Sequence, residues 1–316
     1  MLVLLRRLLT RLGVLKQQPL DGVHLSLVND HGSVQHFYHF MMGFMVPLVH
    51  IWPDVVAKSA GRPVFVRSCA VMDPILKALQ LEGLQILPAP IHRSLGEKTD
   101  WRRKLGHRLD HVSTPGFDTP AKYDPAVFQA VRERLFDQLG PEIAAERDLL
   151  APLFQGAGPK ILIIDRLPPA AFYSSEASEV KGAGSERRSV ENMGELADFA
   201  RSRFDAVASV TLEGRSLAAQ MALFSMADVI VAQHGAALAN LLWAQKGAYT
   251  VEILAKEHET ANLMPHYFSK LAAAMGLQHD FLQQTTDHGP VKVQDFAALM
   301  DALAPSGSSS ISVSKG

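Results

Sequence analysis

The chain contains a single cysteine, Cys69, among 316 residues, so it has neither an intrachain disulfide nor a cysteine-rich zinc site. It also lacks an excess of charge, with 31 Lys and Arg against 32 Asp and Glu. This near-neutral balance disfavours nucleic acid as a partner. Hydrophobic residues make up 47% and charged residues 20%. That composition excludes a disordered chain and supplies apolar material for one or two buried cores.

Two common ligand-binding motifs are also missing. There is no GxGxxG sequence, which disfavours a Rossmann enzyme that uses a dinucleotide. One HxxxH pair is present, His107 and His111, but it lacks the Glu that follows the first His in zinc proteases. We therefore expect no metal site, and interpret the pair as part of a solvated loop or helix face.

Long hydrophobic runs are absent from the N-terminal segment. Between Met1 and Leu15 the longest uncharged run has five residues, against about 20 for a membrane span. Two interpretations remain: a short amphipathic helix on a membrane or partner surface, or a first helix packed on the core. No other segment is expected to span a membrane. We expect a cytoplasmic protein that is at most peripheral on the inner face of the membrane, with residues 1–15 as the contact.

Short β-rich runs alternate with amphipathic stretches along most of the chain, a pattern that indicates βαβ units with parallel strands. We predict an α/β fold with a Gly- and Pro-rich break near Gly140–Pro159, and ligand binding at the carboxyl ends of the strands. Ile91–Pro120 is predicted to be a long loop. The expected organisation is an N-terminal amphipathic segment (1–20), a first α/β domain (21–150), a second α/β domain (151–304) and a disordered tail (305–316).

The segment Ala227–Leu254 carries the clearest functional signal. An apolar strand leads into His234, Gly235, Ala236 and Ala237, and then directly into a helix. A helix N-terminus presents free N–H groups and a partial positive charge, which suit a phosphate. Asn240 lies about one turn further on. Glu252 falls within the next apolar strand, where a carboxylate needs a hydrogen-bond partner such as a pair of ribose hydroxyls. By itself this turn is also explained as a tight strand–helix connection packed with small residues.

This segment resembles the signature of glycosyltransferase family 61, whose usual form is roughly AD(I/V)(I/V)xxHGAGLxNxxFxxPGxxVxEI. Ala237 stands at the second Gly and Lys246 at the Pro. Three further stretches resemble blocks of the family in the same order: His36–Leu48, Ser185–Phe204 and Leu212–Asp228. They depart from the family's pattern at Gly43 and Met193, where the usual residue is acidic.

The resemblance implies a GT-B-like arrangement of two Rossmann-like domains that face each other across a cleft. In this arrangement residues 21–150 form the acceptor-side domain and residues 151–304 the nucleotide-sugar-binding domain. It implies an inverting transfer from a nucleotide sugar to a carbohydrate acceptor without a metal cofactor, and the sequence has no DxD motif. Relatives of this kind include enzymes of bacterial capsular-polysaccharide biosynthesis, which makes surface polysaccharide the expected product. Oligomeric state is left open.

Roles for individual residues follow from this resemblance. The candidate donor-binding residues are Arg166, Arg187, Arg188, Asn192, His234, Gly235, Ala236, Ala237, Asn240 and Glu252. Because Gly43 replaces the family's acidic residue, His39 becomes the first candidate for the general base. His36, Asp100 and Asp110 are alternatives. If none of them serves, the chain is a non-catalytic member of the family that binds a nucleotide sugar or acts as an assembly partner.

Overall fold

The computed structural model of the chain describes residues 20–28, 33–88, 108–117, 119–178, 180, 184–255, 266–286 and 288–303. It contains two sheets, with strand orders β3-β2-β1-β4 and β6-β5-β7-β8-β9, and neighbouring strands pair in parallel throughout. The first sheet consists of β1 (Asp21–Val28), β2 (Val64–Arg67), β3 (Leu84–Leu87) and β4 (Arg108–Pro115). The second consists of β5 (Ile161–Asp165), β6 (Val207–Thr211), β7 (Val229–Gln233), β8 (Tyr249–Leu254) and β9 (Gln278–Gln283).

Helices connect the strands. The α-helices are α1 (Phe37–Ser59), α2 (Asp73–Ala78), α3 (Pro125–Gln138), α4 (Gly140–Leu150), α5 (Gly184–Arg187), α6 (Met193–Arg203), α7 (Leu217–Met226), α8 (Tyr267–Met275) and α9 (Val293–Leu303). Short 3₁₀ helices span Ala70–Met72, Pro120–Lys122, Ala151–Phe154 and Ala236–Trp243. The predicted α/β class is confirmed, and both parallel sheets are compatible with Rossmann-like domains.

The strand order fixes where each sheet can bind a ligand. In the second sheet β5 comes first in the chain, with β6 on one side and β7 on the other. In the first sheet β1 likewise lies between β2 and β4. The connections leave in opposite directions at such a switch point, which opens a crevice beyond the carboxyl ends of the strands. We therefore expect a ligand to bind at the edge of the second sheet formed by the carboxyl ends of β5 and β7.

Residues typical of helix ends occupy the ends of several helices. The Asp124 side chain caps α3 by accepting a hydrogen bond from Ala126 N at 2.9 Å. Ser216 Oγ caps α7 by accepting one from Ala219 N at 3.0 Å. Gly276 ends α8 in the left-handed conformation, with φ of 69°.

Helix α1 contains two irregularities in its backbone hydrogen bonding. A π-helical turn interrupts it at Met41–Met45, and Phe117 N donates to the Met42 carbonyl there at 2.8 Å. Pro53 has no N–H for the Val49 carbonyl, which instead accepts from Arg134 Nη1 at 3.1 Å. These replacement donors allow the helix to continue through two irregularities.

By length and composition alone, α1 passes the test for a helix that can cross a membrane, so the expectation that no segment past the N-terminus is long enough is wrong. Of its most apolar stretch, 67% is buried inside the protein. The buried side of the helix includes Met41, Met42 and Met45, as expected for core residues. A helix in the core of a folded protein can have the same length and apolar composition as a membrane-spanning helix.

The largest hydrophobic core joins the two halves. Phe40 and Met41 from α1 belong to the same cluster as Leu241 and Trp243 from the 3₁₀ helix after β7. Cys69 is fully buried in this cluster, where it packs as a small apolar side chain. The two sheets are thus held together by continuous packing.

The predicted loop Ile91–Pro120 is wrong for residues 108–115, which form β4 and pair with β1 along its whole length. An edge strand has one neighbour and needs few apolar residues, so its pattern resembles that of a loop. His111 lies on this strand, with Nδ1 3.1 Å from His24 Nδ1, rather than in a loop or helix. His107 and the remainder of that loop through residue 107 lie outside the described residues.

Helix α4 occupies the start of the predicted break near Gly140–Pro159. Pro141 stands in its first turn, where a missing N–H costs nothing. Arg147 Nη2 donates to Ser225 Oγ at 2.9 Å, and Ser216 Oγ donates to Glu146 Oε1 at 3.0 Å, which ties α4 to α7. The proposed domain boundaries stay a prediction, as do the roles of residues 1–15 and 305–316, which lie outside the described residues.

Candidate functional site

A cavity of 1120 Å³ is lined by residues from both halves. The second half contributes the carboxyl end of β5, the segment that follows β6 and the turn that follows β7. The first half contributes the start of α1 and parts of residues 71–78. The cavity therefore lies at the binding edge that the strand order of the second sheet predicts.

Arg166 crosses the turn after β7. Its Nη2 donates to the carbonyl of His234 at 2.9 Å, and its Nη1 donates to the carbonyl of Arg188 at 3.5 Å. A Cβ added to Gly235 would stand 1.9 Å from Arg166 Nη2. The guanidinium thus occupies the space that a side chain at position 235 would need, which gives Gly235 a steric role.

The turn also presents backbone donors. The first bond of the 3₁₀ helix runs from Leu238 N to Gly235 O at 3.0 Å. The N–H groups of Gly235, Ala236 and Ala237 precede that bond, and the start of a helix provides no intrahelical acceptor for such groups. All three residues line the cavity beside Arg166. A guanidinium next to a row of N–H groups is a favourable arrangement for an anion.

His234 is held from behind by a buried carboxylate. Its Nδ1 is hydrogen-bonded to Glu252 Oε1. The other oxygen of Glu252 is 2.9 Å from His279 Nε2. The Glu252 side chain is 2% exposed, while those of His234 and His279 are 11% and 7% exposed. Of the three residues only His234 lines the cavity.

The protonation of His234, Glu252 and His279 follows from the environment of Glu252. Burial raises the pKa of its carboxyl, but the hydrogen bonds from His234 and His279 outweigh burial, so its pKa lies below the ordinary value. Glu252 is therefore an ionised acceptor at neutral pH. An ionised carboxylate places a proton on His234 Nδ1, which leaves Nε2 as the ring nitrogen that Glu252 does not engage.

The start of α1 contributes His36 and His39 to the lining of the cavity, with ring centroids 5.3 Å apart. Tyr38 packs against His39 at 5.5 Å, and its hydroxyl is 2.5 Å from that of Tyr123. Phe268 from α8 contacts both Tyr38, at 5.7 Å, and the His234 ring, at 5.2 Å. A row of packed aromatic rings thus connects His39 to His234 in the turn after β7.

The structure brings most of the predicted site residues together. The cavity is lined by His39, Arg166, Arg188, His234, Gly235, Ala236 and Ala237. Arg187 belongs to α5, but its side chain lies outside the described part of the structure. The Asp165 carboxylate accepts from the backbone N–H of Arg166 at 2.7 Å, whereas the guanidinium of Arg166 points to the turn.

Three predicted residues lie outside the lining of the cavity. Asn192 has no side-chain capping bond on α6, and its side chain instead exchanges two hydrogen bonds with the Val291 backbone, both at 2.9 Å. Asn240 is fully buried, donates to Gln220 Oε1 at 3.0 Å and accepts from Trp243 Nε1 at 3.1 Å. The sequence interpretation gave a pair of ribose hydroxyls as an example of the partner that Glu252 needs. In the structure, both carboxylate oxygens of Glu252 instead have histidine partners.

The alternative bases are separated by the fold. His36 lines the cavity beside His39. Asp110 lies on β4 and pairs with Arg62 at the exposed edge of the first sheet. Asp100 lies outside the described residues. Within the described part of the chain, no group of three or more His, Cys, Asp or Glu residues is arranged to hold a metal ion.

Sequence reasoning missed several residues at the site. Tyr173 lines the cavity, donates to the carbonyl of Gln35 at 3.0 Å and has its pKa raised by burial. Arg215 also lines it, with Nε donating to Thr211 O at 2.7 Å. His279 supports the site from β9, and its contact with Glu252 depends on how β9 pairs with β8. Only the LEGRS sequence, within a block already matched to the family, offered a signal for Arg215.

The family model described as Glycosyltransferase 61 matches residues 37–251, well over half of the chain. The chain therefore belongs to glycosyltransferase family 61, as its motifs predicted. A comparison with curated proteins finds no match. Membership of the family implies that the protein is a glycosyltransferase, with a sugar donor and an acceptor as its substrates.

Proposed function

We propose that the protein is an inverting, metal-independent glycosyltransferase with a GT-B arrangement, which moves a sugar from a nucleotide-sugar donor to a carbohydrate acceptor. One observation carries this proposal. A single cavity is lined by Arg166, Arg188 and the His234–Ala237 turn from the second half of the chain and by His36 and His39 from the first half. A single displacement requires both an anion-binding group and a proton acceptor, and this cavity contains both.

In this reaction His39 takes the proton of the acceptor hydroxyl as the acceptor oxygen forms its bond to the anomeric carbon. The bond from that carbon to the diphosphate oxygen breaks on the opposite face, which inverts the configuration. The departing diphosphate keeps the electron pair. Without a metal ion, its charge is stabilised by the Arg166 guanidinium, by the N–H groups at 235–237 and by His234. His39 then releases its proton to water.

The resemblance to bacterial capsular enzymes supports a role in surface-polysaccharide biosynthesis. Activated sugars are available in the cytoplasm, which supports a cytoplasmic location with possible contact of residues 1–15 with the inner face of the membrane. The second candidate function is a non-catalytic protein that binds a nucleotide sugar. Gly43 favours it, because this residue is buried within the π-helical turn of α1 and carries no carboxylate.

A thermal-shift panel tests the proposal. UDP, GDP, CMP, dTDP and their common sugars are added to the protein with and without EDTA. We expect one nucleotide to raise the melting temperature, the shift to survive EDTA, and His234→Ala to abolish it. A shift that EDTA removes contradicts the metal-independent mechanism, and a flat panel with folded protein contradicts donor binding. Turnover of the donor that binds excludes the non-catalytic alternative.

A further inference from the structure

The partners of Glu252 come from the two sides of β8, since His234 directly follows β7 and His279 lies on β9. β8 pairs with β7 on one side and with β9 on the other, which brings His234 and His279 to opposite oxygens of one carboxylate. β9 follows the end of the family match at residue 251. His279 is therefore a feature of this chain that family membership does not assign.

A buried carboxylate is costly unless its oxygens are hydrogen-bonded. With one donor, a carboxylate can still rotate about its final bond and carry that donor with it. With a donor on each oxygen, its plane is fixed. The hydrogen bond from His279 Nε2 to Glu252 Oε2, at 2.9 Å, fixes the plane in which Oε1 accepts from His234.

The environment of His279 keeps this contact in place. Its side chain is 7% exposed, and its ring packs edge-to-face against Phe281 at 4.7 Å between centroids. On the other side, the His234 ring packs against Phe268 at 5.2 Å. The two imidazoles are thus held by packing as well as by the carboxylate between them.

We infer that His279 is a positioning residue that acts through Glu252 to hold the His234 ring with its Nε2 directed at the donor diphosphate. This inference rests on the proposed function, since it gives His234 a diphosphate to contact. His279 itself touches no substrate. Its effect passes through two hydrogen bonds that the donor does not make.

The test compares two substitutions at position 279. His279→Gln keeps an N–H donor near the position of Nε2, whereas His279→Leu keeps apolar volume and removes the donor. His50→Gln, at an exposed position on α1, is the matched control. By isothermal titration with the nucleotide diphosphate found in the panel, we expect His279→Leu to bind about tenfold more weakly and His279→Gln to bind within about twofold of the wild type.

A second readout separates positioning from general damage. Nitrogen-15 spectra report the His234 ring, assigned by the loss of its signals in His234→Gln. We expect these signals to shift or broaden in His279→Leu and to match the wild type in His279→Gln. If His279→Leu does not fold, His279→Asn replaces it, because its amide is too short to reach Glu252.

Equal binding by all variants, or equal losses in the Gln and Leu variants, overturns the inference. Unchanged His234 signals in His279→Leu overturn it as well. If the wild type binds no nucleotide, the proposed function fails. The spectra of the unliganded protein then still decide whether His279 orients His234.

Discussion

Gly235→Ala tests how closely the turn after β7 is fitted to Arg166. The added methyl group would stand 1.9 Å from Arg166 Nη2 and 3.1 Å from its Cζ, both well inside van der Waals contact. The arginine side chain is the movable partner. We therefore expect the guanidinium to leave the turn and to lose its hydrogen bonds to the carbonyls of His234 and Arg188.

The size of the effect follows from what the guanidinium contributes to an anion. A hydrogen bond to a charged group contributes about 1.5–3 kcal/mol. Its loss weakens binding of a nucleotide diphosphate by roughly 10- to 100-fold. Overall stability should fall much less, because the displaced group can move toward the open cavity.

Titration calorimetry of Gly235→Ala, Arg166→Ala and the double variant measures this effect. Because both substitutions remove the same contact, the double variant should bind no more weakly than Arg166→Ala. Gly194→Ala is the control, since a Cβ there meets no atom within 4 Å. The steric role of Gly235 is refuted if Gly235→Ala binds the nucleotide diphosphate like the wild type. It is also refuted if this substitution weakens binding further when Arg166 is already absent.

Three further outcomes are expected. His39→Ala should lower donor turnover by about 10²–10⁴-fold with nucleotide affinity unchanged, and full turnover would exclude His39 as the base. Asn240→Leu should lower the free energy of unfolding in urea by about 2–3 kcal/mol, because Gln220 and Trp243 lose buried partners; a loss confined to nucleotide binding would disprove this structural role. The folded-state pKa of Glu252 lies below its unfolded value, so its ionised form stabilises the fold above about pH 4.3, and that contribution is lost as pH falls through the folded-state pKa. The stability difference between Glu252→Gln and the wild type should therefore shrink in acid, and a constant difference down to low pH would contradict this linkage.

The elements that sequence predicted well are those with strong local signals. β5 and β7 are continuous aliphatic runs that are buried on both faces, and parallel strands of this kind leave a clear pattern. The caps at Asp124 and Ser216 depend on one side chain and the next turn of helix. Features of this kind need no knowledge of the tertiary structure.

The elements that sequence missed depend on distant neighbours. The polar sequence of β4 becomes a strand only because the whole of β1 pairs with it. Helix α4 was hidden by Gly140 and Pro141, which suggest a break until the position of Pro141 in the first turn is known.

In the candidate site, too, the residues with local sequence signals were predicted and the contacts between distant residues were not. Gly235 and His234 were found from a strand–turn–helix pattern that is local in sequence. The contacts of Glu252 and Asn240 were not predictable, because a buried polar residue shows only that it needs partners. Whether those partners are ligand or protein depends on packing, and in this protein the side chains of His279 and Gln220 satisfy them.

The proposed function requires a nucleotide diphosphate to bind against the turn after β7. Hydrogen exchange measured with and without the nucleotide that shifts the melting temperature tests this requirement. We predict slower exchange of the backbone amides at 234–237, with little change in helix α9, which does not line the cavity. Bound nucleotide that leaves exchange at 234–237 unchanged would contradict this binding site.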